Sequence, residues 1–273
     1  MPSSVNARTP QPTASRTLER IPVTVVIPTR DEARQIADTL ASLEWADEVI
    51  VVDGGSTDQT ACLAAAHGAT VLHLEGATIA AQRNLGIARA RNEWVLALDA
   101  DERPSGELIA ELASIVRSLD YQAYRIQFHN FYGERELVRG HWARDWHVRL
   151  FRRQYRFLDR QVHERLENVA PVGTLRGFIC HASYRDFDHH LHKVVRYAQL
   201  GADELRARGY DVTVWHLLAK PAWRFFREYI VYGSFRDGRF GIVTSAMSAL
   251  SAFLKYAFVA MPGLVRSKDS RAT

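Results

Sequence analysis

Asp99-Ala100-Asp101 sets two carboxylates two residues apart at the end of an apolar run, Trp94-Val95-Leu96-Ala97-Leu98. Alternate residues of a strand share one side of the backbone, so the two acids are expected to converge. Converged carboxylates repel each other and lose hydration, and they need a counter-charge. Their oxygens suit a hard divalent cation, magnesium or manganese, which often carries a substrate phosphate. Alone, such a triplet is common by chance. A second acidic strand end gives it weight: Val49-Ile50-Val51-Val52-Asp53 runs into Gly54-Gly55-Ser56-Thr57-Asp58. Asp53 can accept from a pyrimidine imide or from sugar hydroxyls. Arg83, in Ala80-Ala81-Gln82-Arg83-Asn84, can help to hold a nucleotide.

These groups need a scaffold that brings them to one place. Val23–Ile27 reads as a strand ending at Pro28, and Thr29-Arg30-Asp31-Glu32 predicts a capping box for a helix carrying Ile36, Leu40 and Leu43. Val49–Val52 is the second strand. Ser56-Thr57-Asp58-Gln59 predicts a second capping box, for a helix running through His67. Thr70–Leu74 is a third strand, Ala77–Arg91 a helix, and Trp94–Leu98 the fourth strand. This alternation predicts right-handed parallel crossovers in one sheet, with ligands beyond the carboxyl ends of the strands. Thr29, Asp53 and Asp99 all fall at those ends. Beyond Asp101 the rhythm changes. A helix over Ser105–Leu119 and a strand through Tyr124, Ile126 and Phe128 precede residues 131–185, which read as irregular and rich in arginine, histidine and aromatics. From Asp188 the chain reads as helical.

Composition narrows the class. With 273 residues, 47% apolar and 24% charged, the chain is an ordinary globular protein of one large core or two lobes. Its two cysteines, Cys62 and Cys180, exclude a disulfide framework and zinc-finger spacing. Residues 1–20 are polar, lack a signal-peptide core and read as a disordered tail. Neither a G-x-G-x-x-G nor a G-x-x-x-x-G-K-[ST] motif occurs. The net charge of +4 is unevenly placed: Glu134–Arg165 holds nine arginines against five acids, which suits phosphate or anionic lipid. No nucleic-acid module accompanies it, and nucleic acid is not expected as a partner. Gly241–Gly263 carries one charge, Lys255, and reads as an interfacial amphipathic helix flanked by arginines and Lys268.

Four motifs in order, Val25-Val26-Ile27-Pro28-Thr29-Arg30-Asp31-Glu32, Val51-Val52-Asp53-Gly54-Gly55-Ser56-Thr57-Asp58, Arg83-Asn84 and Leu98-Asp99-Ala100-Asp101-Glu102, resemble family 2 glycosyltransferases of the GT-A fold. Asp31 and Gly54 depart from the usual Asn and Asp. The second half is similar to the lipopolysaccharide-core β-glucosyltransferases through Arg149-Leu150-Phe151-Arg152-Arg153, Val162-His163-Glu164 and His181-Ala182-Ser183-Tyr184-Arg185-Asp186.

The resemblance implies an α/β, Rossmann-like, mostly parallel sheet flanked by helices, with a helical, aromatic-rich C-terminal extension. It divides the chain into a nucleotide-sugar half at 21–105, an acceptor half at 106–187 and a membrane-associated helical region at 188–273. It implies an inverting transfer of a hexose, glucose by preference, from a nucleotide-sugar such as a UDP-hexose. The acceptor is lipopolysaccharide core or a lipid-linked glycan on the cytoplasmic face of the cell membrane. Pro28, Thr29, Arg30, Glu32, Asp53, Arg83, Asp99 and Ala100 are then the nucleotide-sugar contacts. Asp101 and His181 hold Mn2+ or Mg2+, and Arg149, Arg152 and His163 meet the acceptor. Glu164 is the base, with Asp159 and Asp186 in reserve. His189, His190 and His192 read as a polar helix face. Two alternatives stay open: a phosphatase of the haloacid-dehalogenase type with Asp99 as nucleophile, and a membrane-bound scaffold that has lost catalysis. The sequence sets no oligomeric state.

Overall fold

β-Branched runs form the centre of the sheet. In the computed structural model, which describes residues 20–117, 120–158, 166–167 and 169–261, β1 (Ile21–Thr29) buries every residue from Val23 onward, as a strand covered on both faces must. Val23, Val25 and Ile27 pack into one core with Ile36, Leu40, Leu108, Leu112 and Ile126. Val26 points the other way, towards Ala80, Ile87, Val95 and Phe151. After β1 come α1 (Ile36–Ala41), β2 (Ala46–Asp53), α2 (Thr60–Ala66), β3 (Thr70–His73), α3 (Ile79–Arg89) and β4 (Trp94–Ala97). These four strands are parallel in the order β3-β2-β1-β4. Gly86 lets α3 lie close on β1, since a Cβ there would stand 2.4 Å from Val26 Cγ1.

The second half extends the same sheet. β5 (Glu102–Pro104) and α4 (Gly106–Ile115) lead to β6 (Ala123–Tyr132), β7 (Arg135–Glu136), β8 (Trp146–Arg152) and β9 (Val172–Tyr184). Among the described residues the order is β3-β2-β1-β4-β8-β6-β9-β5, with β7 on β6. β8 is antiparallel to β4 and β6, while β6 and β9 run parallel. The sheet is therefore parallel in its first half and mixed in its second. The stretch expected to be irregular holds two long strands, hidden in the sequence because their polar positions alternate with buried ones such as Leu175 and Ile179. Three helices follow: α5 (Phe187–Ala207), α6 (Val214–Phe226) and α7 (Arg239–Ala260), packed on one another.

The expected capping boxes do not form. α1 begins at Ile36 and α2 at Thr60, each several residues late and without a side-chain cap. Ser56 and Asp58 instead bond across the loops beside the strand ends, and the Thr29 hydroxyl is buried without a hydrogen-bond partner among the described residues. Thr78 and Ser105, by contrast, do cap α3 and α4. The tail at 1–19 lies outside the described residues.

Candidate active site

Two loops at the carboxyl ends of β1 and β2 are clasped together. Ser56 Oγ accepts from the Asp31 amide at 2.9 Å, and Asp31 Oδ1 accepts from the Thr57 amide at 2.7 Å. The Glu32 amide donates to Thr60 Oγ1 at 2.8 Å and the Ala33 amide to Asp58 Oδ2 at 3.1 Å. Asp31 sits at φ 56°, a left-handed position that Asp and Asn tolerate better than other side chains. The clasp draws Ser56 away from a capping role, while Asp58 Oδ1 also accepts from the Thr60 amide at 2.9 Å where α2 starts. Asp53 is 3% exposed and accepts from both the amide and the hydroxyl of Ser56, with His73 Nδ1 3.4 Å away. It thus shapes the turn as well as facing the rim.

Asp99 and Asp101 lie beyond the strand, in a turn, and each has its own partners. β4 ends at Ala97, and the Glu102 amide closes a turn onto the Asp99 carbonyl at 3.1 Å. The turn sends the carboxylates to different partners. Asp99 meets Arg83 Nη2 at 2.5 Å and Arg149 Nη2 at 3.3 Å. Burial opposes its ionisation, and the two guanidinium groups overcome this and hold the carboxyl below the usual range. Asp101 Oδ2 lies 3.5 Å from His181 Nε2 and 3.6 Å from Lys193 Nζ. Burial again opposes ionisation, and His181 outweighs it.

Among the described residues, the trio of His and acid side chains close enough to share an ion is Asp101, Glu102 and His181, whose ligand atoms lie within 4.8 Å of one another. Glu102 is already engaged: it accepts from the Asp99 amide at 2.8 Å and from Arg149 at 3.0 Å. Asp101 and His181 remain. One carboxylate and one imidazole suit Mn2+ or Mg2+ with the other positions left to phosphate and water. Their 3.5 Å gap is near the roughly 3 Å between neighbouring ligands of an octahedral ion with bonds of about 2.1 Å. The residues fit a divalent cation.

Behind His181 runs a chain of hydrogen bonds. Its Nδ1 lies 2.9 Å from Asn130 Oδ1, which also accepts from Ser183 Oγ at 2.7 Å. Asn130 Nδ2 donates to Asp145 Oδ2 at 3.0 Å, and Asp145 Oδ1 meets His147 Nε2 at 2.7 Å. Asp145 can only accept, so Asn130 turns its oxygen to His181, and His181 must carry its proton on Nδ1. Its Nε2 faces Asp101, where a proton pairs with the carboxylate and its loss leaves a lone pair for an ion.

The other expected site residues spread out. Pro28 and Thr29 are buried at the end of β1, where the Thr29 carbonyl accepts from the Gly54 amide at 2.8 Å. Ala100 is buried and its carbonyl accepts from Thr39 Oγ1 at 2.7 Å. Arg30 is exposed beside Asp31. Glu32 is partly buried, and its carboxyl is pushed up to about 7 by burial and then by the charge of Asp101.

Arg149 is not an open acceptor group: it is 9% exposed and locked onto Glu102 and Asp99. Arg152 is further displaced. It pairs with Glu93 at 2.6 Å and lies over Trp94, opposite the start of β4 and so on the rim away from the site. Register explains both, because β8 runs antiparallel to β4 and carries residue 149 towards the rim and residue 152 away from it. Asp186 caps α5, accepting from the His189 amide at 2.7 Å. His163, Glu164 and Asp159 lie outside the described residues. His190 is buried against Tyr184, whereas His189 is half-buried and His192 exposed.

Three residues of the cluster escaped the motif reading of the site. Glu102 closes the fourth motif and could have been found as a third carboxylate. Lys193 falls in a run that is also similar to the lipopolysaccharide-core branch but takes no role from that resemblance, and Asn130 carries no local signal; β6 and α5 bring the two in from 29 and 92 residues after Asp101. Lys193 also lines a cleft of ≈ 100 Å³ with His141, Trp142, Tyr184, Tyr197 and Arg224.

A sheet parallel in its first half and mixed in its second, with acids at the carboxyl ends of its strands and an Asp101–His181 pair that could hold an ion, is an α/β fold of the GT-A type. Residues 24–177 match the family described as "Glycosyl transferase family 2", and the chain belongs to that family. An uncharacterized glycosyltransferase of Rickettsia typhi is 26% identical over 249 residues, covering 86% of this chain and 85% of that one. A lipopolysaccharide core biosynthesis glycosyltransferase of Rhizobium meliloti, LpsC, is 27% identical over 250 residues, covering 87% and 91%. Among solved structures, S. aureus TarS 1–349 aligns over 89% of this chain and 93% of its own, with 16% identity and a TM-score of 0.49. Family membership sets the phosphatase alternative aside. Asp99, held by two guanidinium groups, is also poorly placed as a nucleophile.

Proposed function

We propose that the protein transfers a hexose, glucose by preference, from a UDP-sugar to a lipopolysaccharide-core or lipid-linked acceptor, with inversion. The observation that supports the reading is the cluster of Arg83, Asp99, Asp101 and His181 just beyond β4, with Asp53 at the carboxyl end of β2 in the same sheet. Asp53 receives the base or ribose, and Arg83 and Asp99 fix the wall beside the diphosphate. Asp101 and His181 would hold Mn2+ or Mg2+, which when bound offsets the charge of the leaving diphosphate. Lys193, beside Asp101, adds a positive charge at the same point. The acceptor approaches through the cleft between Lys193 and Arg224, whose aromatic walls suit the apolar faces of sugar rings. Glu164 is the proposed base that takes the acceptor hydroxyl proton.

Similarity to LpsC of Rhizobium meliloti supports the choice of acceptor class. The test is a panel of nucleotide-sugars with Mn2+, read by mass spectrometry for donor hydrolysis and for transfer to extracted core glycolipid. Turnover of a UDP-hexose supports the reading. UDP binding without turnover of any donor favours the inactive scaffold.

A further inference from the structure

α6 has its polarity inside out. Val214, Trp215, Leu218, Trp223, Phe226 and Ile230, along the helix and the turn that continues it, are 47–70% exposed. At about 100° per residue they fall within roughly half of the helix circumference, and that side points at solvent. None of the thirteen residues of α6 is buried. A helix that pays the entropy of folding should turn such a stripe inward, so this face is built for a surface the isolated chain lacks. α7 repeats the pattern with Ile242, Val243 and Phe253 exposed. It is long and apolar enough to cross a membrane by composition, at a mean hydropathy of 1.5. Yet α7 packs along α5 and α6, with Gly241, Ser245 and Met247 buried, and so is sheathed in protein on one side.

We propose that the outward face of α6 docks on an anionic lipid bilayer, lying in its interface and not spanning it. Charge selects this occupant. Residues 212–261 hold six cations, Lys220, Arg224, Arg227, Arg236, Arg239 and Lys255, against two acids. Both acids are taken: Glu228 is buried against His141, 3.7 Å from Arg224 and 3.9 Å from Arg227, and Asp237 lies beside Arg135 and Arg139. Lys220, Arg236 and Arg239 are left exposed, with no free acid within residues 212–261 to meet them. Anionic head groups supply that partner, and long basic side chains can reach them while the apolar stripe sinks.

A second copy of the chain fits less well, because a two-fold interface would set the same cations against themselves. The chain's own ends are too polar to cover the stripe. Residues 1–19 offer Met1, Val5 and Leu18 as their large apolar side chains, and residues 262–273 offer Leu264 and Val265. Tryptophans at 215 and 223 suit the head-group boundary, where a ring can be half wet. Docking by this face also sets Arg224, which lines the cleft from α6, close to the bilayer. A lipid-borne acceptor would then enter without leaving the membrane. The docking claim itself does not depend on which sugar is moved.

The test is flotation of the full chain with phosphatidylcholine vesicles, with and without a third of phosphatidylglycerol. The protein is expected to float with the anionic vesicles and to be released by salt. W215S/L218S/F226S should weaken partitioning by at least about a hundredfold, from the apolar area removed. K220Q/R236Q should weaken it about fivefold per cation removed, on anionic vesicles alone. Both variants should keep the wild-type circular dichroism melt and UDP affinity. Wild type that stays in solution with anionic vesicles overturns the proposal, as does a triple variant that still floats. A triple variant that converts a dimer to a monomer in sedimentation, with no vesicle binding by wild type, assigns the face to a second copy instead.

Discussion

Replacing Arg149 by methionine probes whether one guanidinium holds the acids behind Asp101 in place. Arg149 donates to Glu102 Oε1 at 3.0 Å and to Asp99 Oδ2 at 3.3 Å, and its guanidinium lies 5.1 Å from the Phe128 ring centroid. Methionine keeps much of the volume and takes the counter-charge from Glu102, whose side chain is 1% exposed and whose carboxyl is already pushed up to about 7 by burial. Breaking a buried ion pair from one side costs about 3–5 kcal/mol. Asp99 keeps Arg83 at 2.5 Å and is more open to water, so it adds little. R149M should therefore lose about 3 kcal/mol in urea unfolding, at the low end of that range. The double variant E102Q/R149M separates charge from packing. Its glutamine oxygen can still accept from the Asp99 amide, and no buried charge is left, so about 2 kcal/mol should return. The reasoning fails if R149M lies within about 0.5 kcal/mol of wild type, the range of an ordinary surface change. It fails equally if the double variant is no more stable than the single one.

Three further outcomes follow from the same geometry. Asn130→Ala removes the acceptor that fixes the His181 tautomer, and Mn2+ affinity should fall about 10–100-fold by calorimetry, a result that unchanged affinity would exclude. His190 is buried against Tyr184, and burial, then His189 and Lys193, push its imidazole down to about 4. The neutral ring is the folded form, so its contribution is whole above the unfolded value of about 6.5 and is lost as pH falls towards 4. His190→Phe should flatten the melting temperature over that window, and an equally steep acid slope in the variant would count against the assignment. Gly177→Ala would place a Cβ 2.3 Å from the Leu108 backbone where α4 lies on β9. It should cost about 1–3 kcal/mol or more in denaturant unfolding, and a neutral result would mean that the contact is looser.

The first half of the fold was legible because its signals are local. Apolar runs of four to seven residues mark strands buried on both faces, and the acids that follow them mark the rim. The motif order then reached the family. The Asp99–Asp101 turn was not legible, since it is set by Glu102 folding back onto the Asp99 amide and by Arg149 arriving from β8. Likewise Asn130 and Lys193 reach His181 and Asp101 only through pairing of β6 with β9 and the packing of α5. Arg152 shows the converse error. An arginine in a basic run looks like an acceptor group, yet strand direction sends it to the far rim against Glu93 and Trp94. Helix starts after β1 and β2 were misread because Ser56, Asp58 and Thr60 bond across the two loops, a use that capping patterns cannot reveal.

The central claim is that Asp101 and His181 hold the ion that makes this rim a nucleoside diphosphate site. Calorimetric titration of UDP into the full chain tests it, with and without Mn2+, in wild type and in Asp101→Ala. The account predicts tight binding only for wild type with Mn2+. The variant should keep the weak, metal-independent affinity contributed by Asp53. Equal UDP affinity in all four titrations would contradict it.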